Sequence, residues 1–365
     1  MNNVTLNDEQ VEYNLEKDTL SIPLPKELEP GEGARVHFDY EFTLPEGGLR
    51  FTKSNDNYHL AQFYPMVATY RSNQWNKKDY RFRGETYHTG FSDFKVSYEI
   101  PEGYTIVSTG EDDEYPSKTD GTFDVNDVKE VFIAILKEPM VIQKQEGDVN
   151  IRVFGFEDKE DFYSEISDVA AGALHYFQEI IGPYPFKQLD IVLDGLGMEY
   201  PGIVTANSIY ESGPVNPEVL KYIVVHELAH QWFYGIISND PYNDAWLDEG
   251  FANFVTGLYN LTSNDQEIPY ESMEEQLGSL ESIPVNLPLD QYDRHMSSYI
   301  YSKSSIMLFK IFENRGGIEE AENYLKVYYD NYKYKEVDTQ EFVRFTKKYF
   351  SLTDDFFFKE WLLLE

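Results

Sequence analysis

The pentapeptide His226-Glu227-Leu228-Ala229-His230 constrains this chain more than any other stretch. Two histidines four positions apart on a helix share one face and lie roughly 6 Å apart along its axis. Their imidazoles can take one small cation together. The glutamate between them then stands beside that cation, where a general base belongs. The preceding Tyr222-Ile223-Val224-Val225 is apolar, which predicts a buried helix. Two imidazoles and a carboxylate are costly to bury unless they are paired or hold a metal.

A catalytic zinc takes three protein ligands and leaves one position open. After eighteen intervening residues His230 is followed by Glu249, inside Trp246-Leu247-Asp248-Glu249-Gly250-Phe251-Ala252. The segment between is rich in turn formers: Gly235, Ser238-Asn239-Asp240-Pro241 and Asn243-Asp244. A second helix therefore starts near Asp244, runs to about Asn260 and returns to the first, bringing Glu249 to the histidine pair as an oxygen ligand. Asp248 has two readings. It is either the partner of an imidazole N–H or a carboxylate placed at a helix start by the helix dipole.

H-E-x-x-H is the zinc metallopeptidase pattern. With an eighteen-residue gap and a Glu inside W-L-x-E-G-F-A, it resembles the aminopeptidase N family of gluzincin metallopeptidases. Three further stretches carry the resemblance. Gly197-Met198-Glu199-Tyr200-Pro201 resembles the family's G-x-M-E-N motif, Tyr301-Ser302-Lys303 its Y-x-K-G motif, and Gly182-Pro183-Tyr184-Pro185 a G-P-Y-P turn. The resemblance implies one Zn2+ on His226, His230 and Glu249, with Glu227 as general base. It selects Tyr301 as hydroxyl donor to the developing oxyanion, Tyr299 being the alternative. Gly197, Met198 and Glu199 become substrate-binding residues. A cleft carboxylate at Glu199 would pair with the substrate's ammonium about one residue from the scissile bond. The implied activity is removal of N-terminal residues from peptides with a free N-terminus, through a zinc-activated water. The sequence departs from the pattern twice: Leu196 stands where Gly is usual and Tyr200 where Asn is usual, which leaves the shape of the first pocket open. An endopeptidase, an epoxide hydrolase using the same zinc site and a catalytically silent zinc-containing binding protein stay open as alternatives.

At 365 residues the chain suits two domains. The fold class expected is α+β. A β-sandwich or saddle-like domain over 1–154, shortened against the family, precedes a thermolysin-like, mainly helical zinc peptidase domain over 155–365, with the family's C-terminal helical domain absent. In the first part, runs such as 20–24, 36–42, 94–100 and 104–108 alternate or carry aromatics between Pro/Gly turns. The acidic run 111–114 reads as a loop. His37, His59 and His88 read as ordinary strand or loop residues. In the second part, periodicity predicts helices over 158–181, 301–312, 318–331, 338–349 and 354–364, with Asp338 as an N-cap. A strand over 189–194 leads into Gly197, and 271–281 reads as a surface helix or loop.

With 65 acidic against 30 basic residues the net charge is −35, which speaks against nucleic-acid or anionic-membrane partners. There is no cysteine, so disulfides and thiolate metal sites are excluded. No run of about 18 apolar residues spans a membrane. The first residues carry no signal-peptide pattern; the expectation is a cytoplasmic protein if the chain is complete and an extracytoplasmic one if its N-terminus is truncated.

Overall fold

The computed structural model describes residues 1–71, 73–81, 84–111, 114–207 and 216–364. Asp112 and Asp113 of the acidic run lie outside the described residues. The fold is α+β, with strands crowding the first part and helices the second. The early strands form small antiparallel sheets. Strand Tyr104–Ser108 pairs with Ile133–Lys137, which pairs with Asn57–Leu60 and through it with Phe51–Ser54. Ser92–Glu99 pairs with Asp120–Val128. Ser92–Glu99 and Asp120–Val128 alternate because one face packs inward, where Phe123 and Val125 are buried with Ile106 and Ile133; Tyr104–Ser108 is buried on both faces, Ile106 in that cluster and Val107 in another.

A second four-stranded sheet positions the site. Its order is Met140–Glu146, Val149–Gly155, Gln188–Val192, Ile203–Thr205, the first pair antiparallel and the rest parallel. The parallel crossover is made by helix α1, Glu160–Ile180, which buries Ile166, Ala170, Ala173, Leu174 and Phe177 against the sheet. This sheet takes strands from both sides of residues 154/155. At its centre Arg152 and Asp190 face each other across neighbouring strands and form a bidentate pair at 2.7 and 2.6 Å. Burying two charges there is tolerable because the fork matches the carboxylate and Gln188 adds a further donor at 3.1 Å.

Helix α2, Pro217–Ala229, starts on an Asn216 cap whose side chain accepts the Glu218 N–H, with Pro217 in the first turn where no N–H is needed. Helix α3, Trp246–Ser263, runs against it. Helix α4, Tyr270–Gly278, buries no residue, as expected for a surface segment. Before helix α5, Ser304–Phe312, the chain makes a π-helical turn at Ser298–Lys303. Helices α6, Gly317–Tyr332, and α7, Thr339–Phe350, follow, the latter capped by Asp338 accepting the Glu341 N–H.

The last helix is a correction. Only α8, Phe356–Lys359, forms where 354–364 was expected. The chain leaves helical geometry there because its backbone has better partners elsewhere. The Trp361 carbonyl accepts the Val285 N–H at 3.0 Å, and Asn286 makes two hydrogen bonds with the Leu363 backbone. Trp361 is thereby driven against Trp246 and Phe342.

Candidate metal centre and active site

Helix α2 delivers His226 and, at its C-cap, His230. The first turn of α3 delivers Glu249. Their facing atoms form a nearly equilateral triangle. Nε2 of His226 and Nε2 of His230 are 3.2 Å apart, and Oε2 of Glu249 lies 3.2 Å from His230 and 3.3 Å from His226. Ligands of a tetrahedral zinc, at about 2.0–2.1 Å from the ion, stand about 3.3–3.4 Å from one another. The donor set therefore fits zinc in spacing as well as in type. A single proton on either imidazole serves two edges of this triangle at most, whereas one cation serves all three. Among the described residues these three are the group that could hold a metal.

The surrounding electrostatics ask for the same positive charge. Burial opposes ionisation of Glu249, but the hydrogen bonds of both imidazoles outweigh it and hold the carboxyl well below its usual range. Burial pushes His226 down. Burial also opposes a proton on His230, yet Glu249, with Glu199 and Glu227 behind it, raises its pKa well above the ordinary value. Glu227 is pushed up to about 8, first by burial and then by the carboxylates of Glu249 and Glu85. A cation in the triangle would draw it down again.

The orientation of His230 is set by a backbone group. Its Nδ1–H donates to the Phe233 carbonyl at 3.0 Å, so Nε2 is the nitrogen that faces the triangle and can offer a lone pair once a cation displaces its proton. Asp248, read as a possible imidazole partner, instead accepts the Glu249 N–H at 2.8 Å at the start of α3. It is buried, and burial together with the charge of Glu249 pushes it up to about 8.

Glu199 reaches the site on a tight hairpin. Met198 and Thr205 exchange backbone hydrogen bonds at 3.1 and 2.9 Å, and the Ile203 N–H closes on the Tyr200 carbonyl. Gly197 lies so close to the base that an added Cβ would stand 2.6 Å from Oε1 of Glu227. Met198 is packed into a buried cluster with Val107, Phe132 and Val192, below the hairpin rather than beside the triangle. The Glu199 carboxyl is raised well above its usual range, by burial first and then by Glu85. Tyr200 turns away from the site: its ring stacks flat on Phe132, centroids 4.0 Å apart. The Asn-to-Tyr departure is thus absorbed by packing against the β-rich part.

Tyr301 sits on the π-helical turn, and its hydroxyl donates to Oε1 of Glu249, the oxygen not aimed at the histidines. Irregular π turns recur at functional sites because they re-aim one side chain. Tyr299 is buried against Tyr292, with Lys303 over its ring, away from the triangle. Gly250 allows this approach, since a Cβ there would stand 2.6 Å from Oγ of Ser304.

Two residues were not singled out from sequence. Gln231 ties α2 to the hairpin, donating to the Tyr200 carbonyl at 3.0 Å and accepting the Gly202 N–H at 2.9 Å. Its signal was a polar residue directly after the second histidine, between the apolar Leu228-Ala229 and Trp232-Phe233. Glu85, paired with Arg50 at 2.5 Å, adds negative charge from the β-rich part and had no local signal.

This arrangement puts the chain among the gluzincin metallopeptidases. It belongs to peptidase family M1, whose domain matches residues 166–361, more than half of its length. It is 25% identical over 350 residues to aminopeptidase 2 of Candida albicans, covering 87% of this chain and 37% of that protein. It is 29% identical over 206 residues to human glutamyl aminopeptidase, covering 48% and 21%. The chain thus spans well under half the length of these relatives. Among solved structures, an M1 zinc metallopeptidase from Deinococcus radiodurans superposes with a TM-score of 0.66 at 17% identity, covering 94% of this chain and 79% of that one. That likeness establishes the fold. No helix of the described residues is long and apolar enough to cross a membrane.

Proposed function

We propose that the chain is a zinc aminopeptidase that removes the first residue of peptides with a free N-terminus, using one zinc ion. The observation that carries this reading is the triangle of His226, His230 and Glu249, with edges of 3.2, 3.2 and 3.3 Å, beside the buried Glu227. The names of the relatives agree with it. Zinc, when bound, polarises the scissile carbonyl and lowers the pKa of a water in its open position towards about 7.

The chain's own residues supply the rest. Glu227 takes the proton of the attacking water and delivers it to the leaving amine. Tyr301 turns its hydroxyl from Glu249 to the oxyanion of the tetrahedral intermediate. Glu199 pairs with the substrate ammonium, so that cleavage falls after the first residue. Gly197 leaves room for Glu227, and Met198 supports the hairpin that carries Glu199 from the buried cluster beneath it. We assign these parts to a catalytic unit that follows a β-rich N-terminal unit.

The test is Glu227→Ala with metal analysis. The variant retains one zinc per chain and loses activity by about 10²–10⁴-fold. A variant that is inactive because it no longer holds zinc would contradict the base assignment.

A further inference from the structure

Glu130 belongs to the buried link between strands Asp120–Val128 and Ile133–Lys137, far in sequence from the metal centre. It is fully buried. Three neutral donors from three segments hold its carboxylate. Gln62 Nε2 donates to Oε2 at 2.5 Å, the Tyr87 hydroxyl donates to Oε1 at 2.9 Å, and the Tyr234 hydroxyl donates to the same Oε1.

Tyr234 is the unusual partner. It lies four residues after His230, and its backbone φ is +114°, a conformation that favours glycine and strains any residue with a Cβ. The torsion about this N–Cα bond relates the Phe233–Tyr234 peptide plane to the Tyr234 side chain. The carbonyl of that plane is the one that accepts Nδ1–H of His230 at 3.0 Å. The turn is closed on both sides: the Tyr234 N–H donates to the Ile237 carbonyl and the Gly235 N–H to the His230 carbonyl, each at 2.9 Å. Nothing in these backbone bonds calls for a tyrosine. Its phenol, anchored on Glu130, adds a side-chain tie to a peptide whose N–H is already held by the Ile237 carbonyl.

We propose that Glu130 is a positioning residue for the metal ligand His230: it anchors the Tyr234 hydroxyl, which holds the Phe233 carbonyl on Nδ1 and so aims Nε2 at the metal. The β-rich part of the chain would thereby set metal affinity across its packing with α2. This rests on the metal reading proposed above.

Zinc dissociation from the full chain, measured by competition with a chromogenic chelator, tests it. Tyr234→Phe removes one hydroxyl and leaves the ring; it should raise the zinc dissociation constant about tenfold, as should Glu130→Ala, within the range for loss of groups that orient ligands. Glu130→Gln keeps a carbonyl acceptor for Tyr234 and should stay within about threefold of the parent. Tyr324→Phe serves as control. It loses a buried hydroxyl contact to Thr346 at 2.7 Å between α6 and α7, and should lower the melting temperature of the metal-free chain without moving zinc affinity. Tyr234→Phe that behaves like this control, less stable but binding zinc as the parent does, would overturn the proposal. If Glu130→Ala does not fold, Tyr234→Phe decides alone. A parent chain that binds no zinc would overturn the metal reading itself, an outcome distinct from failure of Glu130's role.

Discussion

Glu199 is a carboxylate in a place where ionisation is opposed twice, by burial and by the charge of Glu85. Such a group gains most from a ligand that brings a positive charge. A substrate ammonium does this, and an acetylated N-terminus does not. Glu199→Ala should therefore raise KM for free-amine substrates by about 10–100-fold, the worth of a hydrogen bond to a charged group, while any slow cleavage of N-acetylated peptides stays as it was. An unchanged KM would sink the ammonium role. Tyr200 departs from the family pattern, and its ring stacks on Phe132.

At the scale of elements, the site depends on two glycines, Gly197 and Gly250, that leave room for the side chains of Glu227 and Ser304. Gly197→Ala would set a methyl group within 2.6 Å of Oε1 of Glu227, so the base must rotate away. Misplacement of this size is worth on the order of 10²-fold in rate. We expect kcat to fall by that amount with the zinc content unchanged, and steady-state kinetics with metal analysis checks it; parent-like kcat would mean the carboxylate has room to spare. Elements were legible in the sequence where their signals are local. Periodicity gave α1, with its buried Ile166, Ala173 and Phe177, and Asp338 marked the start of α7. The triangle was legible for the same reason: two of its corners share one helix face, and the third follows a turn-rich link. What escaped depends on distant partners. The π-helical turn under Tyr301 carries no composition signal, and it is packed against Gly250 of α3. The C-terminal residues read as a helix until Asn286 and Val285 offered their backbone other partners. Gln231 and Glu85 acquire meaning only once the hairpin and the β-rich part are in place.

Across the whole molecule the helical part is closed by α7 docking on the start of α3. Asp244 accepts both the Thr339 N–H at 3.2 Å and the Thr339 hydroxyl, and the Trp246 indole N–H donates to the same hydroxyl at 2.8 Å. Burial, with Asp338 and Asp240 nearby, raises the Asp244 carboxyl from 3.8 to about 6. The folded chain thus holds a proton that the unfolded chain has released between these values. The stability this contributes is present below about pH 4 and is lost as pH rises through about 6, a change of up to about 3 kcal/mol. Asp244→Asn keeps the acceptor oxygen and cannot ionise. Denaturant unfolding at pH 4 and pH 7 should show the variant gaining on the parent by that order as pH rises, and a difference independent of pH would contradict the account. The same joining of parts runs through the site: His59 on Asp194 at 3.2 Å, His88 on Glu336 at 3.1 Å and Phe132 on Tyr200 all tie the β-rich strands to the helical part.

The most direct test of the central claim is a chelator and zinc add-back assay on a panel of aminoacyl-anilides, with N-acetylated copies alongside. Activity should disappear with chelation, return with about one zinc per chain, and be confined to the free-amine substrates. Equal cleavage of the acetylated copies would keep the zinc hydrolase and remove Glu199's selection of the N-terminus. Cleavage that persists in the fully metal-free chain would contradict the account outright.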